Sequence, residues 1–161
     1  MITQEIKIDL FADYFQFYIQ DEKVDGTLSD DWNQETVDRL LALGTGTIII
    51  GTTRNMTVPV TIRLYSNEPD MLRELGTIGQ INECDIETSS DKLVVAGCTD
   101  YFPDAMRINV NKGIYRARIY YGNLDEISGD GLEGEDFYEI HLWPTKEKKE
   151  LKIIKNRKAS A

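Results

Sequence analysis

The side chains of this chain that could do chemistry gather in one stretch, Gly113 to Pro144, GIYRARIYYGNLDEISGDGLEGEDFYEIHLWP. Within residues 122–136 lie Asp125, Glu126, Asp130, Glu133, Glu135 and Asp136, with several glycines and no basic residue. Carboxylates at such short spacing are ligands for hard cations, which raises calcium first. Aligning Asp130-Gly131 with positions five and six of a calcium loop puts Glu126 at position one and Ser128 at three. Position twelve is then Phe137, where a bidentate glutamate is needed, so the motif fails. His141 could serve as a general base oriented by Glu139 or an aspartate, but no serine or cysteine nucleophile motif lies near it. A carboxylate pair of the glycosidase type depends on a separation that sequence does not give. Nucleophile elbow, phosphate loop and metalloprotease signatures are absent. Gly44-Thr45-Gly46 lacks the rest of a phosphate-binding pattern and reads as a helix stop leading into a strand. No catalytic residue, metal ligand or cofactor is assigned.

Two strands must present this loop. Tyr115, Ala117, Ile119 and Tyr121 alternate with Arg116, Arg118 and Tyr120, and Tyr138, Ile140 and Leu142 alternate with Glu139, His141 and Trp143. Period-two alternation places one set on a core face and the other outward. The stretch is thus a long hairpin, with Arg116 and Arg118 on the same face as Glu139 and His141, where opposite charges attract weakly. Tyrosines interleaved with arginines, Tyr120 with Arg116 and Arg118, are residue types that anchor protein contacts.

The rest of the chain reads as short strands. Residues 6–20 carry alternating Phe15, Phe17 and Ile19, and Thr47 to Thr53 is β-branched and apolar. Arg54-Asn55 makes a turn into Val58, Val60, Ile62 and Leu64, where Pro59 favours an edge strand or its first residues. Further strands are expected near 78–87, 92–97 and 105–110. A helix is expected over about 32–43, with Asp31 and Gln34 at capping-box spacing, Val37, Leu40 and Leu41 as its apolar face, and Trp32 anchoring it to the sheet. Eight or nine strands and one helix predict an all-β, mainly antiparallel sandwich of two sheets. Residues 1–144 form its single domain, and 145–161 a basic tail, read as a frayed, solvated end or else as a segment that folds against the acidic domain or contacts an anionic partner.

Charge narrows the partners. The chain of 161 residues has a formal net charge of −10. Residues 145–161 hold seven Lys/Arg against two Glu, which leaves 11 basic and 26 acidic residues, a net −15, over 1–144. Such a field repels nucleic acid and anionic membranes and speeds encounter with a basic protein. Cys84 and Cys98 make neither a disulfide framework nor, with one histidine, a zinc site. With no signal segment and no apolar run of spanning length, a cytoplasmic location is expected.

The order of features resembles the ComJ family, nuclease inhibitors of the bacterial competence system. The likeness runs from the strand Tyr14 to Asp21, through Asp31-Trp32 heading a helix, the strand Gly46 to Ile50, Arg54-Asn55 and a strand ending at Leu64, to Lys112-Gly113-x-Tyr115. It covers about residues 8–121. Residues Gly122 to Pro144 are similar instead to uncharacterised bacterial proteins that share an acidic loop and a terminal Leu-Trp-Pro. The resemblance implies a small acidic β-sandwich that silences a nuclease by imitating phosphate charge. Together with the acidic field it leads to one expectation, a non-catalytic inhibitor or immunity module for a basic nuclease or toxin. Its expected contact residues are Asp125, Glu126, Asp130, Glu133, Glu135, Asp136, Arg116, Arg118 and Tyr120. Two alternatives stay open: a calcium- or small-ligand-binding domain using loop 122–136, and a carboxylate-dependent hydrolase.

Overall fold

A computed structural model of the chain describes residues 1–24, 33–73 and 76–157. Strands β1 (Ile2–Phe11), β5 (Thr57–Tyr65), β6 (Ile78–Thr88), β9 (Gly113–Gly122), β10 (Phe137–Thr145) and β11 (Lys152–Lys155) form one sheet, ordered β1-β5-β10-β9-β6-β11. Strands β2 (Gln16–Asp21), β3 (Leu41–Gly44), β4 (Thr47–Gly51), β7 (Lys92–Gly97) and β8 (Met106–Asn109) form the other, ordered β3-β4-β2-β7-β8. Every pairing is antiparallel except β5 with β10. The all-β sandwich expected from the alternation is therefore present.

The inward faces meet as the alternation requires. Tyr115, Ala117, Ile119 and Tyr121 on β9 and Tyr138, Ile140 and Leu142 on β10 pack against Phe17, Ile19, Leu41, Ile48, Ile50, Leu93 and Val95 of the smaller sheet. Each large apolar side chain fully buried here contributes roughly 1.5–3 kcal/mol. The hairpin register is Tyr138 opposite Tyr121 and His141 opposite Arg118. Pro59 lies third in β5, one residue before β10 begins to pair at Val60. Its missing N–H therefore falls outside that ladder.

The helix is shorter than its sequence pattern. Helix α1 covers Gln34–Arg39. Asn33 and Thr36 make its capping box, in place of Asp31 and Gln34, and Leu40 ends it in the left-handed conformation. The expected extension to 43 is corrected: Leu41 and Leu43 pair with Ile50 and Ile48 as β3. Val37 stays on the helix and is exposed, whereas Leu41, the last residue of the helical spacing, is fully buried in the smaller sheet. Asp31 and Trp32 lie outside the described residues. Thr45-Gly46 is then a hairpin turn between β3 and β4, and not a helix stop. Gly46 has φ +58°, and a Cβ there would come within 2.6 Å of Val24.

The basic C-terminal segment makes backbone pairings and side-chain bonds through residue 157. Strand β11 pairs with β6, and Arg157 donates to the Asp38 and Val37 carbonyls at the end of α1. The Arg116 guanidinium reaches the carbonyls of Lys149 and Glu150. This segment and residues 66–73 cover the outer face of the larger sheet at β9, which is therefore buried on both faces from Tyr115 onward. Among the described residues no helix is long and apolar enough to cross a membrane.

Candidate functional site

Strand directions bring the acidic loop to one end of the sandwich. At that end β1, β4, β7 and β9 finish, and β2, β3, β5, β6, β8 and β10 start. The loop leaves β9 at Gly122, whose partner is Phe137. A Cβ at Gly122 would stand 2.1 Å from the Phe137 ring, so only glycine lets that ring cross the strand.

The loop is a small folded hairpin. Ile127 bridges Gly134, the Glu135 amide donates to Glu126 O at 2.8 Å, and Ser128 N donates to Glu133 O at 2.8 Å. At its tip the Asp130 carboxylate accepts from Ser128 Oγ at 2.6 Å and from Leu132 N at 3.0 Å. The hydroxyl bond first, then the amide, holds its pKa below the ordinary carboxylate value. Asp125, Glu126, Asp130, Glu133 and Glu135 are exposed, a single-sign surface on a braced scaffold.

The brace comes from another part of the chain. Asp136 is buried and accepts from Arg54 Nε at 2.6 Å through Oδ1 and from Tyr138 Oη at 2.7 Å through Oδ2. Tyr138 Oη in turn accepts from the Thr53 amide at 3.0 Å. Burial pushes the Tyr138 phenol far above its ordinary value, so it stays a proton donor to Asp136. Arg54 also reaches Leu132 O, and Thr52 Oγ1 donates to Arg54 O. The turn between β4 and β5 thus holds both the root and the tip of the acidic loop. The sequence places Arg54-Asn55 in a turn but does not reveal that its charge is spent on Asp136.

Four of the expected contact residues are buried in this structure. Asp136 is enclosed as described, and Tyr120 is fully buried in a second apolar cluster with Ile78 and Ile81. Its hydroxyl accepts from Leu72 N. Arg116 and Arg118 do point to the outer face, but their carboxylate partners are Glu83 and Asp85 on β6 and, for Arg118, Glu68, not Glu139. Arg118 is further enclosed by Pro69 O and stacks over Trp143, 4.9 Å from the ring centre. An outward position on a strand is not a solvent position once a loop and a C-terminal strand cover it.

His141 lies in the same covered layer. It is 1% exposed, between the Tyr65 and Tyr120 rings, each centred 5.1 Å away. Nε2 is 2.6 Å from Glu139 Oε2, while Nδ1 has no protein partner. Burial raises the Glu139 pKa, but the His141 hydrogen bond and the Arg63 charge outweigh it and hold the carboxyl below its ordinary value. A histidine so enclosed reaches no substrate in this conformation. Among the described residues no group of three or more His, Cys, Asp or Glu gathers as metal ligands.

The same end carries an aromatic feature that the sequence conceals. Phe15 does not continue the β2 alternation: Tyr14 and Phe15 have φ of 59° and 60° and are 72% and 51% exposed. Left-handed backbone costs a bulky L-residue roughly 1–2 kcal/mol. The turn is held there by Phe15 N donating to Ala12 O and Thr52 N donating to Phe15 O. Beside the two rings opens an apolar cavity of about 740 Å³, walled also by Val37, Leu40, Gly51 and Cys98.

No family model matches this chain. No characterised protein matches it by sequence. Among solved structures, the crystal structure of ComJ, inhibitor of the DNA degrading activity of NucA, from Bacillus subtilis, superposes with TM-score 0.65 at 18% identity. It covers 90% of this chain and 99% of that one. The product of crocagin biosynthetic gene J superposes with TM-score 0.59 at 16% identity, over 89% and 98% of the two chains. The chain shares the fold of both proteins.

Proposed function

We propose that this protein is a non-catalytic binding module that neutralises a basic nuclease or nuclease-type toxin. Asp125, Glu126, Asp130, Glu133 and Glu135 would stand in the positions of nucleic-acid phosphates. The observation that carries this reading is the division of labour in the loop. One carboxylate, Asp136, is consumed inside the protein to fix the loop, and five others are held outward at the exposed surface. Preorganised carboxylates lose little freedom on docking and make strong charge-assisted bonds to Lys and Arg. The net −15 of residues 1–144 adds long-range attraction for a basic cleft and repulsion of nucleic acid. The fold shared with an inhibitor of a DNA-degrading enzyme supports the same direction.

The test is inhibition of DNA cleavage by a panel of basic nucleases, NucA included, at rising salt. At least one enzyme is expected to be inhibited at low salt and progressively released as salt screens the pair. Substituting the five exposed acids together by Asn and Gln is expected to weaken that inhibition roughly tenfold or more. Inhibition that survives the five substitutions unchanged would remove charge mimicry from the account.

A further inference from the structure

We infer that the open edge of β1 is a self-association surface, on which β1 of a second copy pairs antiparallel about a two-fold axis at Ile6. The inference does not rest on the proposed inhibitor role. The two sheets end in four edge strands, and β3, β8 and β11 have four residues each, whereas β1 has ten. A short edge offers another chain little to pair with, and a long regular one is a ready template. Ala12 N donates to Met56 O, continuing the register in which Phe11 faces Thr57. Directly opposed residues of an antiparallel ladder alternate between bonded and non-bonded pairs. Gln4, Ile6, Ile8 and Leu10 therefore turn their amides and carbonyls to β5, and Glu5, Lys7 and Asp9 turn theirs to the open edge. Pro59 agrees, because it faces Asp9, where no N–H is needed. Among the described residues no strand pairs with that edge.

Charge and overlap select the register. Centred on Glu5, the pairing sets Glu5 against Glu5; centred on Lys7, it sets Lys7 against Lys7 and Glu5 against Asp9. Both oppose like charges, which destabilises a ladder. Centred on Ile8, it opposes Lys7 to Asp9 but overlaps only residues 5–11. Centred on Ile6, it overlaps 2–10 and sets Glu5 of each copy against Lys7 of the other. Both side chains are exposed, and Arg63 Nε holds Glu5 on the outer face at 2.6 Å. On the inner face Ile6 meets its counterpart and Gln4 meets Ile8. Ile6 and Ile8 are only half-buried against the core at this margin, so a second β1 completes their cover. The net charge of −10 on each copy opposes association in general. The two-fold reverses strand direction, however, and sends the acidic loops, which lie where β1 finishes, to opposite ends of the pair. They are then separated by roughly the 30 Å length of a ten-residue strand, several times the ~8 Å screening length at physiological salt.

The test is sedimentation equilibrium of the full chain at physiological salt, up to about 1 mM, where a weak specific association still registers. The unsubstituted chain is expected to reach the mass of two copies. Glu5→Lys and Lys7→Glu each set like charges opposite one another about Ile6, so each alone is expected to associate about tenfold more weakly. Mixed in equal amounts, the two variants are expected to recover the association, because an acidic edge then meets a basic one; recovery also shows that both are folded. Ile6→Cys is expected to give a disulfide-linked dimer through position 6 on mild copper oxidation, mapped by mass spectrometry. Opposed residues of a non-bonded pair stand about 4.5 Å apart between Cα atoms, within a disulfide's reach. A chain that stays monomeric to that concentration would overturn the inference. So would a Glu5→Lys chain that associates unimpaired, or a mixture that stays apart. A monomer whose inhibition of a nuclease is weakened by Lys7→Glu would give the edge to the nuclease and overturn the assignment of a second copy.

Discussion

Arg54, on the turn between β4 and β5, and Asp136, at the threshold of β10, form a buried ion pair with Nε to Oδ1 at 2.6 Å. They are 82 residues apart in sequence, just ahead of β5 and β10, the two strands that pair in parallel. The pair ties the acidic loop to the smaller sheet through Thr52 and Thr53. Its value lies less in net stability than in fixing one geometry, since a buried pair recovers its desolvation cost only when every lone pair is satisfied.

Arg54→Ala should leave Asp136 charged and enclosed without its cation. Breaking such a pair costs about 3–5 kcal/mol. Urea titration is expected to show that loss, and amide exchange to show faster opening of 123–135. The double variant Arg54→Met, Asp136→Leu should regain most of the stability, because no lone charge remains.

Asp21 is a second buried carboxylate with a structural task. Burial raises its pKa, but hydrogen bonds from the Ser90 hydroxyl, from the Ser89 amide and hydroxyl, and from the Lys23 amide outweigh this and hold it well below the ordinary value. A depressed folded-state pKa contributes stability that is complete above the unfolded value, about 3.9, and is lost as pH falls below it. Asp21→Asn should lower stability at neutral pH by on the order of 2 kcal/mol. It should also flatten the decline of stability below about pH 4, measured by urea midpoints across pH.

The two thiols should behave differently. Cys84 is fully buried between the sheets, and desolvation pushes its pKa up to about 12. Cys98 is partly exposed and accepts from Gln16 Nε2 at 2.8 Å. Mass spectrometry after brief alkylation of the native protein should find one adduct, at Cys98, and two after denaturation.

Removal of residues 146–161 should not be silent. Arg116 would lose the Lys149 and Glu150 carbonyls, Asp85 would lose the Lys149 amide, and β6 would lose its partner β11. Hydrogen bonds to charged groups contribute about 1.5–3 kcal/mol each, so a loss on the order of 3 kcal/mol or more is expected in thermal and urea unfolding. A tail without structure would be removed at no cost.

The sequence alone determined the sandwich and its hairpin. Alternation on both arms from Tyr115 to Tyr121 and from Tyr138 to Leu142 fixes which side chains enter the core, because a slip of one residue would turn every one of them outward. The acidic loop and its lack of cations were equally legible, since composition survives folding unchanged. Tertiary structure decided what covers the other face. Alternation says that Arg116, Arg118, Tyr120 and His141 oppose the core, and only the docking of residues 66–73 and of the C-terminal segment buries them. It also decided that Leu41 to Gly44 is strand and that Asp136, alone among the loop acids, turns inward to Arg54. The left-handed Tyr14–Phe15 turn left no mark in residue type, because its conformation is imposed by contacts to Ala12 and Thr52 and not by local propensity. Local pattern reports the period of an element; partners distant in sequence set its surroundings, and those surroundings decide which charges and rings remain available to bind.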